Sequence, residues 1–484
     1  MPDFLTAFGL IALILMITAL ASGLVERSPL SFPLMFLGFG FALGEGGLGI
    51  IDMGPHDPLL EVVATLTLSL VLFLDATKLQ LEELGKRWLA PALVLGPGTG
   101  LIIALGAVAL ALLLDFGWVL AFAGGAILAS TDPVVIREIV RDQRIPRSVR
   151  QVLKIEAGMN DIVVLPVILV LIAVALGEVA DASGWALLLV RLLLLGPAIG
   201  FAIGGLGSWA MAKIDARTPI RREHQALYGV GLVLASYAGA TAAGGDGFLG
   251  AFAAELAVIL LNQTLCDCFL EYGEVSSEMA MLLAFVLFGA VLSGIVSTVD
   301  VVPTVALALL VVFAIRPSVL GLVLARANMS WEAHAFISWF GPRGLNSLLL
   351  ALLVVQADVP GSELLLAIVG VVVLASVGLH GASAATVAAW YERRTTSDTL
   401  AEERESTAAG LFVHDEGAVR RIAPEELRRL LEGPAPPIVL DVRSRSSYER
   451  DEGQVPGSER VLPDQVLEWA TDKHVDGLVV AYCT

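Results

Sequence analysis

The stretch Ala129-Ser-Thr-Asp132-Pro133-Val134 lies near the middle of an apolar run that extends over residues 118–140. Proline removes a backbone hydrogen-bond donor and clashes with the preceding turn, so a helix that enters this stretch is expected to break there. Inside a bilayer, such a break is tolerated only where it is buried in protein or lines a wet cavity. The stretch therefore predicts a discontinuous membrane helix that carries a buried aspartate.

The composition of the whole chain indicates a membrane protein. Its 484 residues are 56% hydrophobic and 16% charged, whereas soluble domains carry about 25% charged residues. The net charge of −18 argues against a nucleic-acid partner, because lysine and arginine dominate binding to phosphates. A spanning helix needs about 20 apolar residues, and such blocks lie at 4–23, 30–50, 59–77, 88–114, 118–140, 149–177, 185–212, 223–244, 247–262, 277–299, 302–325, 332–356 and 362–391. The fold class predicted is an all-α polytopic membrane protein with about 13 transmembrane helices, in a membrane domain over residues 1–391.

The connections between these blocks alternate in charge. One set carries lysines and arginines, among them Arg141, Arg144 and Arg147, while the other set carries aspartates and glutamates without a lysine or arginine. Because basic connections stay in the cytoplasm, the N-terminus is expected outside and the C-terminal tail inside. The protein is expected to be a multi-pass protein of the cell membrane.

Two adjacent spans contain acidic residues near the bilayer midplane, where ionisable groups are costly unless paired or hydrated. Beside Asp132 in the fifth span, the sixth span carries Glu156, Asn160 and Asp161. Glu156 and Asn160 share a helix face because they are four residues apart, and Asp161 is offset towards the neighbouring face. Asp132 and Asp161 can therefore converge, with Asn160 placed to steady the broken helix. The alternative is a buried polar network that only holds helices together.

Carboxylate oxygens bind both protons and hard monovalent cations, so a pair of buried aspartates can serve both. Four motifs together resemble the sodium/proton antiporter family, in its electroneutral NhaP-like branch. They are Phe73-Leu74-Asp75, Ser130-Thr131-Asp132-Pro133, Glu156-Ala-Gly-Met-Asn160-Asp161 and Gly341-Pro342-Arg343-Gly344-Leu345-Asn346-Ser347, and the resemblance covers residues 4–391.

The resemblance implies a secondary transporter that exchanges a monovalent cation, Na⁺ or K⁺, for H⁺ by alternating access. Asp132 and Asp161 would bind the ion, with a carbonyl near Thr131 as a further ligand and without a cofactor. Asn160 occupies the position where electrogenic relatives carry a second aspartate, which implies electroneutral exchange. A homodimer in the lipid bilayer is also implied.

The same resemblance implies inverted repeats that pair spans 1–6 with spans 8–13. Span 12 is interrupted by Gly341, Pro342 and Gly344, so two crossing broken helices are expected, and paired broken helices mark the site in such transporters. Arg343 is the expected cationic partner of the two aspartates. Its alternative is an interfacial arginine that extends its side chain to the cytoplasm.

Two further expectations concern Ala157, which follows Glu156 in its motif, and the acidic end of the third span. Ala157 stands where the family often has a serine whose hydroxyl helps to coordinate the ion, so weaker discrimination between sodium and potassium is expected. Asp75 and Lys78, at the end of the third span, are interpreted as a solvated helix end.

The tail differs from the membrane domain. Residues 392–418 are polar and are predicted to be a cytoplasmic linker. Residues 419–484 alternate strand and helix patterns, which suggests a parallel α/β domain, and they resemble a rhodanese domain through the strand that ends in Asp441, the turn at Val455-Pro-Gly-Ser, and Cys483. In that family the cysteine carries a persulfide. Because the sequence ends one residue later, an incomplete, inactive domain is expected.

Two other functions are weighed. A membrane-anchored rhodanese-type sulfur-handling or redox-regulated protein would need the active-site loop that follows Cys483 in rhodaneses. A cation channel would need a pore motif or a ring of acidic residues, and the sequence shows neither.

Overall fold

The computed structural model describes residues 32–77, 88–134, 136–142, 144–179, 181–327, 329–397, 400, 422–433, 436–450, 453–466, 469–470, 473 and 477–482, together with isolated positions before residue 32. Every predicted span from 30–50 onward contains a helix. The predicted first span, 4–23, lies outside the continuously described residues.

The membrane helices follow one another with short connections. In chain order they are α1 (Phe32–Leu43), α2 (Pro58–Thr77), α3 (Leu89–Leu114), α4 (Trp118–Ala129), α5 (Arg137–Arg141), α6 (Arg147–Ala175), α7 (Ala182–Asp215), α8 (Arg222–Ala242), α9 (Gly247–Leu261), α10 (Gln263–Ile295), α11 (Val301–Leu324), α12 (Trp331–Trp339), α13 (Leu345–Gln356) and α14 (Ser362–Ser397).

Apolar composition explains why these helices form and where they belong. Among the described residues, seven helices are long and apolar enough to cross a membrane. Helices α4 and α13 are shorter because each is one half of an interrupted span. The predicted all-α polytopic fold is confirmed, while the total of 13 spans stays a prediction.

The helices pack into two bundles. Helices α3–α6 and α11–α14 form one, which we call the site bundle, and helices α1, α2 and α7–α10 form the other, the flanking bundle. The site bundle thus contains predicted spans 4–6 and 11–13. Inverted repeats that pair spans 1–6 with spans 8–13 would produce this division, so it supports that prediction.

Helix α14 continues past the predicted end of the membrane domain at residue 391. It runs to Ser397, and its last turn is stabilised by hydroxyls, such as that of Thr395, which donates to the carbonyl of Glu392 at 2.9 Å. The polar composition of this segment marks the exit from the membrane rather than the end of the helix. The remainder of the predicted linker, apart from Leu400, lies outside the described residues.

The tail contains a three-stranded parallel sheet in the order β2-β1-β3. Its elements are α15 (Pro424–Leu431), β1 (Ile438–Asp441), α16 (Arg445–Arg450), β2 (Glu459–Arg460), a 3₁₀ turn (Pro463–Gln465) and β3 (Val479–Tyr482). The predicted parallel α/β arrangement is present. The rhodanese resemblance itself stays a prediction, because Cys483 lies outside the described residues.

Candidate ion-binding site

The two interrupted helices meet at their breaks. Residues 130–136 separate α4 from α5, and residues 340–344 separate α12 from α13. The backbone N–H of Asp132 donates to the carbonyl of Pro342 at 3.0 Å. A Cβ atom on Gly344 would overlap the carboxylate of Asp132, so glycine is required for this close approach. The helix breaks predicted at both places are therefore joined in one site.

Backbone groups of both interrupted helices hold the carboxylate of Asp132. Its Oδ1 accepts a hydrogen bond from the N–H of Val134 at 2.8 Å, and its Oδ2 accepts one from the N–H of Leu345 at 2.6 Å. Leu345 is the first residue of α13, and a helix N-terminus carries partial positive charge. These main-chain donors thus fix the position of the Asp132 carboxylate.

Side chains, in contrast, hold the carboxylate of Asp161 on α6. Its Oδ1 accepts from the Ser130 hydroxyl at 2.5 Å, and its Oδ2 accepts from the Asn346 amide at 2.5 Å. Asp132 and Asp161 are both buried, at 1% exposure. Ser130 and Asn346 are not among the site residues that the sequence predicts, although both lie inside the quoted motifs.

The side chain of Asn160 caps the C-terminal end of α4. Its amide nitrogen donates to the carbonyl of Ala129 at 2.8 Å and to the hydroxyl of Thr131 at 3.4 Å. The hydroxyl of Ser347 donates to the carbonyl of Ile127 at 3.2 Å. The last carbonyls of a helix have no partner further along the helix. The Asn160 amide supplies one for Ala129. Ser347 adds a second donor to Ile127, whose carbonyl also accepts the N–H of Ser130 at 3.3 Å.

Glu156 pairs with an arginine that the sequence does not predict as a site residue. Two guanidinium nitrogens of Arg316, on α11, donate to the two oxygens of Glu156, one at 2.9 Å. Arg316 also donates to the carbonyls of Ile337 at 3.0 Å and Phe340 at 2.9 Å, where α12 ends. Arg316 therefore neutralises Glu156 and completes the end of an interrupted helix. The signal that could have found it is a single charged residue in an otherwise apolar span.

Arg343, the expected cationic partner, lies at the same crossing but is held differently. Its Nη1 donates to the carbonyl of Gly341 at 2.6 Å, and its backbone N–H donates to the hydroxyl of Ser376 at 2.8 Å. Among the described residues, it forms no ion pair with Asp132 or Asp161. Its side chain is buried at 1% exposure, so the alternative of an arginine extended to the interface is wrong.

The side of α6 that faces the flanking bundle is covered by apolar side chains, unlike the side that carries the polar contacts of Asp161 and Glu156. Ala76 on α2 and Phe252 on α9 pack against Met159 and Ile162 of α6. Asp75, next to Ala76, is 1% exposed, so the interpretation of Asp75 as a solvated helix end is wrong. Lys78, the other residue of that interpretation, lies outside the described residues. Its burial comes from the packing of α2 against α9 and α6, which the sequence of α2 alone does not contain.

Two interrupted helices that cross in the membrane, with a carboxylate at the end of a half-helix, are the arrangement of secondary transporters. The profile of the sodium/hydrogen exchanger family, described as the transmembrane part of the exchanger, matches residues 11–390. The chain therefore belongs to the sodium/hydrogen exchanger family, which consists of transporters rather than enzymes. The match ends at the predicted boundary of the membrane domain and leaves out the tail.

Relatives of known sequence agree with this family, and a solved structure shares the fold. The chain is 28% identical over 387 residues to the K(+)/H(+) antiporter NhaP of Alkalimonas amylolytica, an alignment that covers 78% of this chain and 66% of the relative. It is 27% identical over 394 residues to the K(+)/H(+) antiporter NhaP2 of Shewanella sp. (strain ANA-3), covering 80% and 67%. The chain thus spans about two thirds of the length of these relatives. The sodium proton antiporter MjNhaP1 from Methanocaldococcus jannaschii at pH 8 shares the fold, with a TM-score of 0.64 at 20% identity over 80% of this chain and 99% of that one.

Proposed function

We propose that this protein exchanges a monovalent cation, K⁺ or Na⁺, for H⁺, and that Asp161 binds the two ions alternately. The observation that carries this proposal is the carboxylate of Asp161, buried at the crossing of two interrupted helices and held by the side chains of Ser130 and Asn346. A buried carboxylate at such a crossing can take up a proton or a cation, but not both at once.

The two side-chain partners suit both states of Asp161. A serine hydroxyl can donate or accept a hydrogen bond. When Asp161 is ionised, Ser130 donates to it, as in the structure; when Asp161 is protonated, its O–H can donate to the Ser130 oxygen after the hydroxyl rotates. Asp132 keeps its main-chain donors in both states and assists as a fixed negative charge. The carbonyl near Thr131 is a further oxygen ligand for a dehydrated cation.

The division into two bundles supports alternating access. Asp132, Asp161, Asn346 and the Glu156–Arg316 pair all belong to the site bundle. A movement of this bundle against the flanking bundle would expose the site first to one side of the membrane and then to the other without breaking these contacts. The apolar cover of α6 by Ala76 and Phe252 would open in that movement.

Orientation, location and assembly belong to the same proposal. The tail contacts Arg147, which lies in a connection that the positive-inside rule places in the cytoplasm. This contact supports an inside C-terminus in the cell membrane. The homodimer implied by the family stays a prediction. The rhodanese-type alternative depends on Cys483, outside the described residues, and no contact in the described part of the tail favours it.

The direct test uses everted membrane vesicles that contain the protein and a pH-sensitive dye. We expect addition of K⁺ or Na⁺ to release protons from respiring vesicles, seen as dequenching, and vesicles without the protein to show none. If no cation in a series of Li⁺, Na⁺, K⁺ and Rb⁺ dequenches the dye above that background, the proposed exchange is wrong.

We expect exchange to be electroneutral, one cation for one proton. Asn160 is neutral and is engaged in bracing α4 through the carbonyl of Ala129, so Asp161 is the carboxylate left to carry charge in alternation. Proteoliposomes under a cation gradient should therefore acidify or alkalinise without generating a membrane potential. A potential reported by a voltage-sensitive dye under the same gradient would contradict this stoichiometry.

We expect Ala157→Ser to strengthen the apparent affinity for Na⁺ relative to K⁺, by about 1 kcal/mol, the scale of one hydrogen-bond-like ligand. Ala157 is buried on α6, four residues before Asp161 and therefore on a neighbouring helix turn. A methyl group cannot coordinate a cation, whereas a hydroxyl oxygen can. The measurement is the ratio of half-saturating Na⁺ and K⁺ concentrations at one pH. An unchanged ratio would mean that position 157 does not face the ion.

A further inference from the structure

We propose that the tail domain docks on the site bundle and that Asp464 is a positioning residue of the transport site, because it caps the first turn of α6. This inference rests on the proposed exchange function. It concerns a residue outside the part of the chain that the exchanger family profile matches, which ends at residue 390.

The contact joins the 3₁₀ turn of the tail to the start of α6. The Oδ2 atom of Asp464 accepts a hydrogen bond from the backbone N–H of Arg147 at 2.7 Å, and the carbonyl oxygen of Asp464 accepts one from Nη1 of Arg147 at 3.4 Å. Arg147 is the first residue of α6. Asp464 is 8% exposed, so this contact lies inside an interface rather than on a free surface.

Helix α6 lacks a cap of its own. The first N–H groups of a helix have no partner within the helix, and a serine, threonine, aspartate or asparagine just before the helix usually supplies one. In α6 that position is Pro146, and no side chain of the cap residue accepts a hydrogen bond. Asp464 provides the acceptor from 317 positions further along the chain. Its charge also suits the positive end of a helix.

The tail is attached to a second helix of the same bundle. Helix α16 of the tail packs against α14, and the 3₁₀ turn packs against α6. Nη2 of Arg445, at the start of α16, lies 3.7 Å from the Asp464 carboxylate. Nη1 of Arg144, just before α6, lies 3.3 Å from Glu392 on α14. The tail therefore spans the ends of α6 and α14, and both helices belong to the site bundle.

Helix α6 connects the contact at Asp464 to the ion site. Asp161 lies 14 residues after Arg147, which is about 21 Å along a helix that rises 1.5 Å per residue. The tail bridges the first turn of α6 to α14, so the capped turn helps to set the position of Asp161 against Ser130 and Asn346. Loss of the cap should therefore change how well the site binds the cation, while the exchange chemistry persists.

The first experiment compares two substitutions in the full chain, assayed in everted vesicles. Asp464→Ala removes the acceptor, and loss of a cap costs about 1 kcal/mol of helix stability. If that whole cost is transmitted to the ion site, the half-saturating cation concentration rises roughly fivefold, and we expect a smaller change in the maximal rate. Asp464→Asn retains a good capping side chain but loses the negative charge near Arg445, so it should fall much closer to wild type than to Asp464→Ala. Glu432→Ala, which removes an exposed tail carboxylate paired with Arg428, is the matched control and should have no effect.

The second experiment removes the donor. Proline is accepted at the first position of a helix, and Pro146, with φ −52° and ψ 141°, already has the extended conformation that a following proline requires. Arg147→Pro should therefore reproduce the effect of Asp464→Ala, and the two substitutions together should add nothing further. Arg147→Ala keeps the N–H group and should have a smaller effect.

Hydrogen–deuterium exchange of the full chain in detergent gives a readout that does not depend on transport. We expect faster hydrogen–deuterium exchange for Asp464→Ala, but not for Asp464→Asn, in a peptide that starts several residues before Arg147 and includes it, because the first amides of a peptide do not retain the label. Three results would each overturn the capping role: unchanged hydrogen–deuterium exchange in Asp464→Ala, wild-type transport kinetics in Asp464→Ala, or an equal loss of cation affinity in the alanine and asparagine variants. If the wild-type protein shows no cation-dependent proton movement, the proposed function is wrong. The hydrogen–deuterium exchange measurement still decides whether the tail is docked.

Discussion

Asp161→Asn is expected to abolish cation–proton exchange while the protein remains folded and inserted in the membrane. Asparagine has almost the shape of aspartate, and its amide can still bond to Ser130 and Asn346, the two partners of Asp161 in the structure. It cannot take up a proton or carry the negative charge that attracts a cation. The measurement is dye dequenching in everted vesicles at matched amounts of inserted protein.

The control for this substitution is Asp115→Asn. Asp115 is exposed at the end of α3, with φ 56°, a conformation that asparagine also adopts readily. The same chemical change there should leave exchange at the wild-type level. Near-normal dequenching by Asp161→Asn would remove Asp161 from the centre of the mechanism, and loss of exchange in Asp115→Asn would show that the assay reports protein quality instead.

The helix breaks were predictable because their signals are local. Pro133 removes a backbone donor and clashes with the preceding turn. A carboxylate such as Asp132 or Asp161 in an apolar span is costly unless it is paired or hydrated. The coincidence of proline and aspartate distinguishes this break from Pro166, which lies inside the continuous helix α6. The apolar blocks predict membrane helices for the same reason, since each block must find lipid or another helix. The position of Asn160 beside α4 also follows from local spacing along α6.

The partners of the buried charges were not predictable from local signals. Arg316 and Glu156 are 160 residues apart, and only the packing of α11 against the rest of the site bundle joins them. Arg343 is next to the second break in sequence and is therefore the arginine that the sequence predicts beside the aspartates, yet its guanidinium bonds to a carbonyl of its own loop. Sequence proximity to a site does not determine which way a long side chain turns.

The contact between the tail and the membrane domain lies beyond sequence patterns altogether. Asp464 belongs to a short polar turn, and Arg147 to a basic connection that the charge rule already explains. Each is ordinary in its own segment. Their hydrogen bond depends on how helix α16 of the tail packs against α14, which neither segment encodes.

Of the contacts at the site, the Glu156–Arg316 pair is expected to contribute most to the stability of the protein. Arg316→Met removes the guanidinium and leaves the carboxylate of Glu156, at 3% exposure, without its partner. Breaking a buried ion pair in this way costs about 3–5 kcal/mol, a large part of the stability of a typical domain, about 5–15 kcal/mol. We expect little correctly folded protein after extraction, measured by thermal melting with fluorescence-detected size exclusion.

The double variant Glu156→Gln, Arg316→Met distinguishes the cost of an unpaired buried charge from the loss of the other contacts of Arg316. It removes both charges, and replacement of a whole buried pair is often close to neutral, so the double variant should be more stable than Arg316→Met alone. Recovery should be incomplete, because Arg316 also bonds to the carbonyls of Ile337 and Phe340 at the end of α12. Arg326→Met, on an exposed arginine just after α11, is the matched control and should melt like wild type. The single variant Glu156→Gln completes the comparison. If Arg316→Met melts like wild type, or if the destabilisation of the double variant equals the sum for the two single variants, Glu156 and Arg316 do not stabilise each other.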